Sequence, residues 1–209
     1  MTRGKFITLE GGEGAGKSTQ IKRLADFLRA QGIQTVQTRE VGGAPSAEAI
    51  RELWLTQSEG HWDALTELLL IMAARREHLV KTVWPALERG DWVISDRFND
   101  STRAYQGIGL GLGLEVIEEL YRRIAPNFEP DLTLLLDLPI EAGLARMTAR
   151  GGQDDRYQQK DKSFHQKLRD AYLSLAQKDA HRFRVIDASG NADIVAAAIA
   201  QTVRGHFKL

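Results

Sequence analysis

The stretch Gly11-Gly12-Glu13-Gly14-Ala15-Gly16-Lys17-Ser18 fits the pattern G-x-x-x-x-G-K-[ST] at every fixed position. An apolar run, Phe6–Glu10, precedes it, and a helical pattern starts at Lys17. In that strand–loop–helix order the glycines let several backbone N–H groups face one point. Together with the helix N-terminus they hold phosphate oxygens. Lys17 is placed to reach the β- and γ-phosphates, and the Ser18 hydroxyl to bind Mg²⁺. The expected nucleotide-contacting run is Gly11, Gly12, Glu13, Gly14, Ala15, Gly16, Lys17, Ser18 and Thr19.

Outward from the loop, short apolar runs alternate with helical patterns. Residues 17–31 place Ile21, Leu24, Ala25 and Leu28 on one face, with Gly32 as a stop. A strand follows at Thr35–Arg39, and a helix capped by Ser46 runs to residue 55. Residues 62–87 read as one long helix, with Leu65, Leu68, Leu69, Met72, Leu79, Val80 and Val83 at helical spacing and Pro85 bending or stopping it. Strands follow at Trp92–Asp96, 132–138 and 183–188. Helices are expected at 141–150, Lys162–Lys178 and Ala192–Phe207. Strands bounded by helices indicate βαβ units, so the fold class is α/β with about five parallel strands flanked by helices. Gly107 to Gly113 does not match the dinucleotide fingerprint and reads as a flexible loop.

The 209 residues hold 28 Lys+Arg, 28 Asp+Glu and no cysteine. The charge balance argues against a protein that coats nucleic acid through a broad basic surface. The cysteine count excludes a disulfide framework and Cys-ligated metal. No apolar run approaches ~18 residues, so a membrane span is not expected and a cytoplasmic chain is. The histidines lack metal-ligand spacing and read as surface or packing residues. The four tryptophans read as core anchors and Arg122-Arg123 as a solvated helix face.

The phosphate loop alone leaves a switch GTPase, an ATPase and a small-molecule kinase open. The guanine-reading sequence N-K-x-D is absent, since Asn99, Asn127 and Asn191 are not followed by Lys. A second cluster, Asp96-Arg97-Phe98, closes the strand Trp92–Asp96, at the strand end where open parallel sheets bind ligands. On its own the tripeptide is equally a surface Asp-Arg pair. The longer string Asp96-Arg97-Phe98-Asn99-Asp100-Ser101-Thr102-Arg103-Ala104-Tyr105-Gln106-Gly107 resembles the stretch D-R-[FYH]-x-x-S-x-x-A-Y-Q-G of bacterial thymidylate kinases. Thr38-Arg39-Glu40 with Gly42-Gly43, Ala73-Ala74-Arg75, and Pro130-Asp131-Leu132-Thr133 to Asp137-Leu138-Pro139 agree in order and spacing. The resemblance covers nearly the whole chain.

The resemblance implies a P-loop kinase fold in a single domain, 1–209, with a short lid at about 148–158. It implies phosphorylation of dTMP to dTDP with ATP and Mg²⁺, by a homodimer. It puts Glu13 near the acceptor sugar and phosphate, Arg39 and Arg97 at the acceptor phosphate, and Arg75 on the thymine edge. Thr102 and Gln106 become polar contacts to the base, and Tyr105 a ring beside the deoxyribose. Asp96 joins Ser18 as a metal ligand, directly or through water. The loop carries no cation between Gly11 and Gly16, so the resemblance assigns the further catalytic cation to Arg150, with Arg156 nearby. The local pattern adds that Arg75 lies beside the apolar stripe, where an unpaired guanidinium is costly; the solvated edge of the stripe is the other reading. The polar stretch 150–156, with Gly151-Gly152 for hinging, is either a closing lid or an ordinary solvated loop.

The sequence also departs from the family pattern. Val41 stands for the usual Pro after the Arg-Glu pair, and Ala44 for a Thr. Ile71, with Met72 next to it, stands where an aromatic ring stacks on thymine. Thr148 stands where some relatives carry Arg. The base contact at Ile71 and Met72 is thus expected to be apolar packing. A kinase for another nucleoside monophosphate, or a P-loop ATPase switch, remains the alternative.

Overall fold

Strands β1 (Phe6–Glu10), β2 (Thr35–Arg39), β3 (Trp92–Asp96), β4 (Leu132–Asp137) and β5 (Phe183–Asp187) pair into one parallel sheet, ordered β2-β3-β1-β4-β5. The computed structural model describes residues 3–56, 62–150, 157 and 160–209, with only the backbone at residue 150. β1 lies at the centre and is buried along its whole length, which its uninterrupted Phe-Ile-Thr-Leu run anticipates. The two faces of the sheet receive alternate side chains. Ile7, Leu9, Ile94, Leu134 and Leu136 meet Ile21, Leu24 and Leu28 of α1 (Lys17–Ala30) and Val195, Ile199 and Val203 of α9 (Ala192–Phe207). Phe6 and Val93 face the opposite way, onto Leu68 and Met72 of α3 (Ala64–His78) and onto Phe98 and Ile117. Truncating a fully buried leucine such as Leu28 to Ala costs about 2–5 kcal/mol.

Several local expectations are corrected. α2 runs Pro45–Thr56, so Ser46 lies inside the helix, where its Oγ donates to Glu77 Oε2 at 2.5 Å instead of capping. The long helix does not run from 62. Asp63 caps α3, and the helix continues without a break through a π-helical turn, Leu79–Val83, into α4 (Trp84–Glu88); Pro85 neither stops it nor starts a new one, and follows directly on the π turn, a usual site for an irregular hydrogen-bond ladder. The apolar residues of the expected stripe also divide. Leu68 and Met72 are buried, while Leu65, Leu69 and Val80 are exposed.

Of the expected loop Gly107 to Gly113, the first three residues are helical and only residues 110–113 are loop. A short helix α5 (Asn99–Thr102) continues into a π-helical segment, Arg103–Gly109. Gly107 packs so close to Leu114 and Ile117 that a side chain would crowd them. Gly113 then opens α6 (Leu114–Ile124), the helix whose solvated face carries Arg122 and Arg123 and whose start the sequence pattern does not mark. Polar residues before the glycines hid this: the segment is ordered by packing on α6 and α8 (Lys162–Lys178), not by its own propensity. α7 (Ile140–Arg150) and α8 fall where the periodicity puts them. The loop between them lies mostly outside the described residues, as do Arg156, His61 and the side chain of Arg150.

Candidate active site

β1 and β3 are neighbours with Leu9 opposite Asp96, so the phosphate loop and the Asp96-Arg97 pair leave the sheet side by side. In the loop, Lys17 Nζ donates to the carbonyls of Gly11 and Gly12, at 3.1 and 3.0 Å. Gly14 has φ 71°, and a Cβ there would sit 2.2 Å from the carbonyl of Gly143 on α7; only glycine fits. Gly16 begins α1 without a side-chain cap, and the first turn carries no acid. The positive end of the helix is therefore left for an anion. Ser18 Oγ donates to Asp96 Oδ2 at 2.8 Å.

Arg97 takes the left-handed backbone conformation, φ 69°, rare outside glycine. Its backbone is pinned on both sides: Arg97 N donates to Leu9 O, Ser95 Oγ to Arg97 O, and Phe98 N to Glu10 Oε1. The turn aims the guanidinium back over the phosphate loop. Nη2 pairs with Glu13, and Nη1 reaches Gly11 O, Ser101 Oγ and Tyr172 OH, each at 3.2 Å. Tyr105 OH donates to Glu13 Oε1 at 2.9 Å, and the Arg97 guanidinium lies 5.0 Å from the Tyr105 ring centre. Beneath them Glu10 accepts from Ser101 Oγ at 2.5 Å and Tyr172 OH at 3.3 Å. Burial, reinforced by Asp100, pushes the Glu10 carboxyl up to about 7.

A cavity of about 360 Å³ opens between these groups and the carboxyl end of β2. Its walls include Glu13 to Thr19, Arg39, Ile71, Arg75, Asp96, Arg97, Thr102, Tyr105 and Gln106, all anticipated, together with Arg51 and Trp54 of α2 and Tyr157, which were not. Arg39 is half exposed and pairs with Glu48 Oε2 at 2.9 Å. The Glu40–Val41 peptide is cis; Val41 lines the cavity, and its carbonyl accepts from Arg51 Nη1 at 2.8 Å. Gly11 and Gly12 lie behind the loop and line a second, smaller cavity with His165 and Arg169. Met72, expected beside Ile71 at the base, packs into the core with Phe6 and Leu79, with its sulfur 3.6 Å from Arg75 Nη1.

At the far end Arg75 is 2% exposed and held by several side chains. Nε donates to Glu40 Oε2 at 2.7 Å, Nη1 to Asn99 Oδ1 and Nη2 to Thr102 Oγ1, both at 2.8 Å. The Arg75 guanidinium and the His78 ring hold the Glu40 carboxyl below its usual range, against the opposing push of burial. Gln106 Nε2 donates to Glu67 Oε1 at 2.8 Å and Tyr157 OH at 3.0 Å, and Tyr157 OH also bonds Glu67. Glu40 stands out in the sequence only as part of the string Thr38-Arg39-Glu40, with no role, and Glu67 not at all. A signal existed for Glu67: it lies four residues before Ile71 and eight before Arg75, on one face of α3.

A central-β1 parallel sheet, a phosphate loop after β1 and a carboxylate with an arginine after the adjacent strand define a P-loop phosphotransferase of the nucleotide kinase class. The thymidylate kinase family model matches residues 9–199. The chain is 50% identical over 203 residues to a thymidylate kinase of Caulobacter vibrioides, covering 97% of both chains. It is 49% identical over 203 residues to that of Alkalilimnicola ehrlichii, covering 97% of this chain and 94% of the relative. For Magnetococcus marinus the figure is 49% over 205 residues, 98% of each. The chain belongs to the thymidylate kinase family. No helix among the described residues is long and apolar enough to cross a membrane.

Proposed function

We propose that this chain transfers the γ-phosphoryl group of MgATP to the phosphate of dTMP, giving dTDP. The observation that carries the reading is a single cavity running from the phosphate loop, past Asp96 and Arg97, to the hydrogen-bonding end at Arg75 and Gln106. A donor triphosphate and an acceptor nucleotide meet in such a space with their phosphates together.

The residues fit Mg²⁺. Ser18 and Asp96 lie together and offer oxygen ligands only. That suits an ion held by one or two protein oxygens plus phosphates and water. Ser18 and Asp96 would hold it, and the ion supplies charge neutralisation on the transferring phosphates. Lys17 gives its ammonium to the donor phosphates. Arg97 clamps the acceptor phosphate, with Arg39 at the same end, and Glu13 with Tyr105 borders the sugar. Arg75, Thr102 and Gln106 face the base, over the apolar surface of Ile71. The acceptor phosphate is already an anionic nucleophile, so catalysis is positioning and charge stabilisation, with no protein base needed. Arg150, at the end of α7, supplies the further cation from a lid at 148–158 of a single 1–209 domain; this rests on the family resemblance alone. The exposed leucines of α2 and α3 support a homodimer.

A coupled ADP-release assay over dTMP, dUMP, dCMP, dGMP and no acceptor tests the proposal. The highest kcat/KM is expected for dTMP, with slow turnover in water. A stronger response to another monophosphate, or fast ATP turnover without one, overturns it.

A further inference from the structure

Arg75 carries five N–H donors, and the structure accounts for four. Nε–H goes to Glu40. The Nη1 pair goes to Asn99 Oδ1 at 2.8 Å and, weakly, to Met72 Sδ at 3.6 Å, and one Nη2 hydrogen goes to Thr102 Oγ1. One Nη2 hydrogen remains, on a side chain that is otherwise enclosed and borders the cavity. Which hydrogen remains depends on how the guanidinium plane is set.

That plane is set from behind. Glu40 Oε2 takes Nε–H, and Glu40 Oε1 lies 2.9 Å from His78 Nδ1. An ionised carboxylate only accepts, so the His78 Nδ1 must carry a hydrogen. His78 Nε2 lies 2.7 Å from Thr38 Oγ1, which completes the ring's hydrogen bonds. The imidazole is fully buried and cannot swing. A Cβ on Gly43, whose φ is 83°, would stand 2.4 Å from Thr38 Oγ1 and 2.6 Å from the His78 ring, so the β2–α2 loop seals this chain of bonds. Thr82 Oγ1 fastens that loop at the Gly43 carbonyl, at 2.7 Å.

We propose that Glu40 and His78 are positioning residues for base recognition: they fix Arg75 so that it presents one N–H donor to an acceptor atom on the base. A fixed single donor favours a keto oxygen and rejects an amino group, because two donors facing each other leave both buried and unpaired. Thymine and uracil carry a keto group at the position where cytosine carries an amino group. The dyad therefore sets the discrimination between dTMP and dCMP and leaves that between dTMP and dUMP alone, since those two differ only in a methyl group. The inference rests on the reading that Arg75 faces the base.

The test uses the full chain with Glu40→Gln, His78→Gln, Thr38→Val and Arg75→Gln, measuring KM for dTMP and ATP and the kcat/KM ratios among dTMP, dUMP and dCMP. Glu40→Gln and His78→Gln are expected to raise KM for dTMP roughly ten- to hundredfold and to reduce the dTMP:dCMP ratio. The dTMP:dUMP ratio and KM for ATP stay within about twofold. Thr38→Val, which removes only the last hydroxyl, gives a smaller shift in the same direction and covers the case where Glu40→Gln fails to fold. If Arg75→Gln abolishes dTMP:dCMP discrimination while the Glu40, His78 and Thr38 variants keep it, the dyad has no such role, although Arg75 still reads the base. If Arg75→Gln itself leaves the ratio intact, the reading of Arg75 falls as well. Equal loss of both ratios indicates a generally loosened pocket and overturns the proposal.

Discussion

Ser18 Oγ and Asp96 Oδ2 are 2.8 Å apart, so the first turn of α1 and the carboxyl end of β3 are tied together at the phosphate loop. A hydroxyl that donates to a carboxylate turns its lone pairs outward, where a hard cation can take one. Asp96→Asn keeps an acceptor for Ser18 and removes the charge. The Mg²⁺ concentration for half-maximal rate is expected to rise ~10–100-fold, the usual cost of losing a metal-orienting partner. Initial rates across a Mg²⁺ titration check this; an unchanged half-saturation point removes Asp96 from the metal site.

Arg97 is held in an uncommon backbone conformation by three hydrogen bonds and faces Glu13 across the phosphate loop. Proteins keep such geometry where the surrounding structure over-determines it, most often at functional sites. Arg97→Gln is expected to lower kcat by about 10²–10³, the range for losing one preorganised donor to developing charge. Arg97→Lys, which keeps charge but loses the fork, falls between Gln and wild type. Steady-state kinetics with circular dichroism as a fold check decides; a variant with normal kcat takes Arg97 out of the mechanism.

The parts of this site that were legible in the sequence share a physical cause. The phosphate loop and the Asp96-Arg97 pair are contiguous, and each sits at a strand end whose apolar run is unmistakable. The buried partners are harder to see. Glu40 meets Arg75 across 35 residues and Glu10 meets Tyr172 across 162. No local period announces either carboxylate as buried, because the groups that satisfy it arrive only with the tertiary fold. Helix α6, visible in the sequence only through Arg122-Arg123, has the opposite origin. Its own pattern is strongly amphipathic, with Ile117 and Tyr121 inward and Arg122 and Arg123 outward, but the glycines before it drew the reading towards a loop. Ile71 lines the cavity as an apolar surface, while its neighbour Met72 turns into the core.

Glu10 makes stability depend on pH in a stated direction. In the folded chain burial and Asp100 push its carboxyl up from the ordinary 4.5 to about 7, so the folded state holds a proton that the unfolded state releases. The associated stabilisation is complete below about pH 4.5 and is lost as pH rises through about 7, a change of order 3 kcal/mol. Gln at this position stays neutral throughout, and its amide can accept from Phe98 N and donate towards Ser101 and Tyr172. Urea unfolding from pH 4.5 to 8 should therefore show the wild type losing stability relative to Glu10→Gln as pH rises. Parallel curves for the two proteins would mean that Glu10 is ionised throughout this range.

Leu65 and Leu69 are four residues apart on α3 and remain 45% and 50% exposed, with Leu53 of the adjoining α2 at 44% and Val80 at 41%. Single exposed leucines need no explanation, but apolar residues grouped on two packed helices suit a face covered by another copy of the chain. On an isolated chain, Leu69→Glu would alter stability by less than about 0.5 kcal/mol, because the position is solvated. Within a dimer the same carboxylate would be buried without a partner, at a cost large enough to split the pair. Light scattering on a size-exclusion column should give twice the chain mass for wild type and the single-chain mass for Leu69→Glu, with matching circular dichroism. A variant that still elutes as a dimer would move the interface to another surface, and a monomeric wild type would remove it.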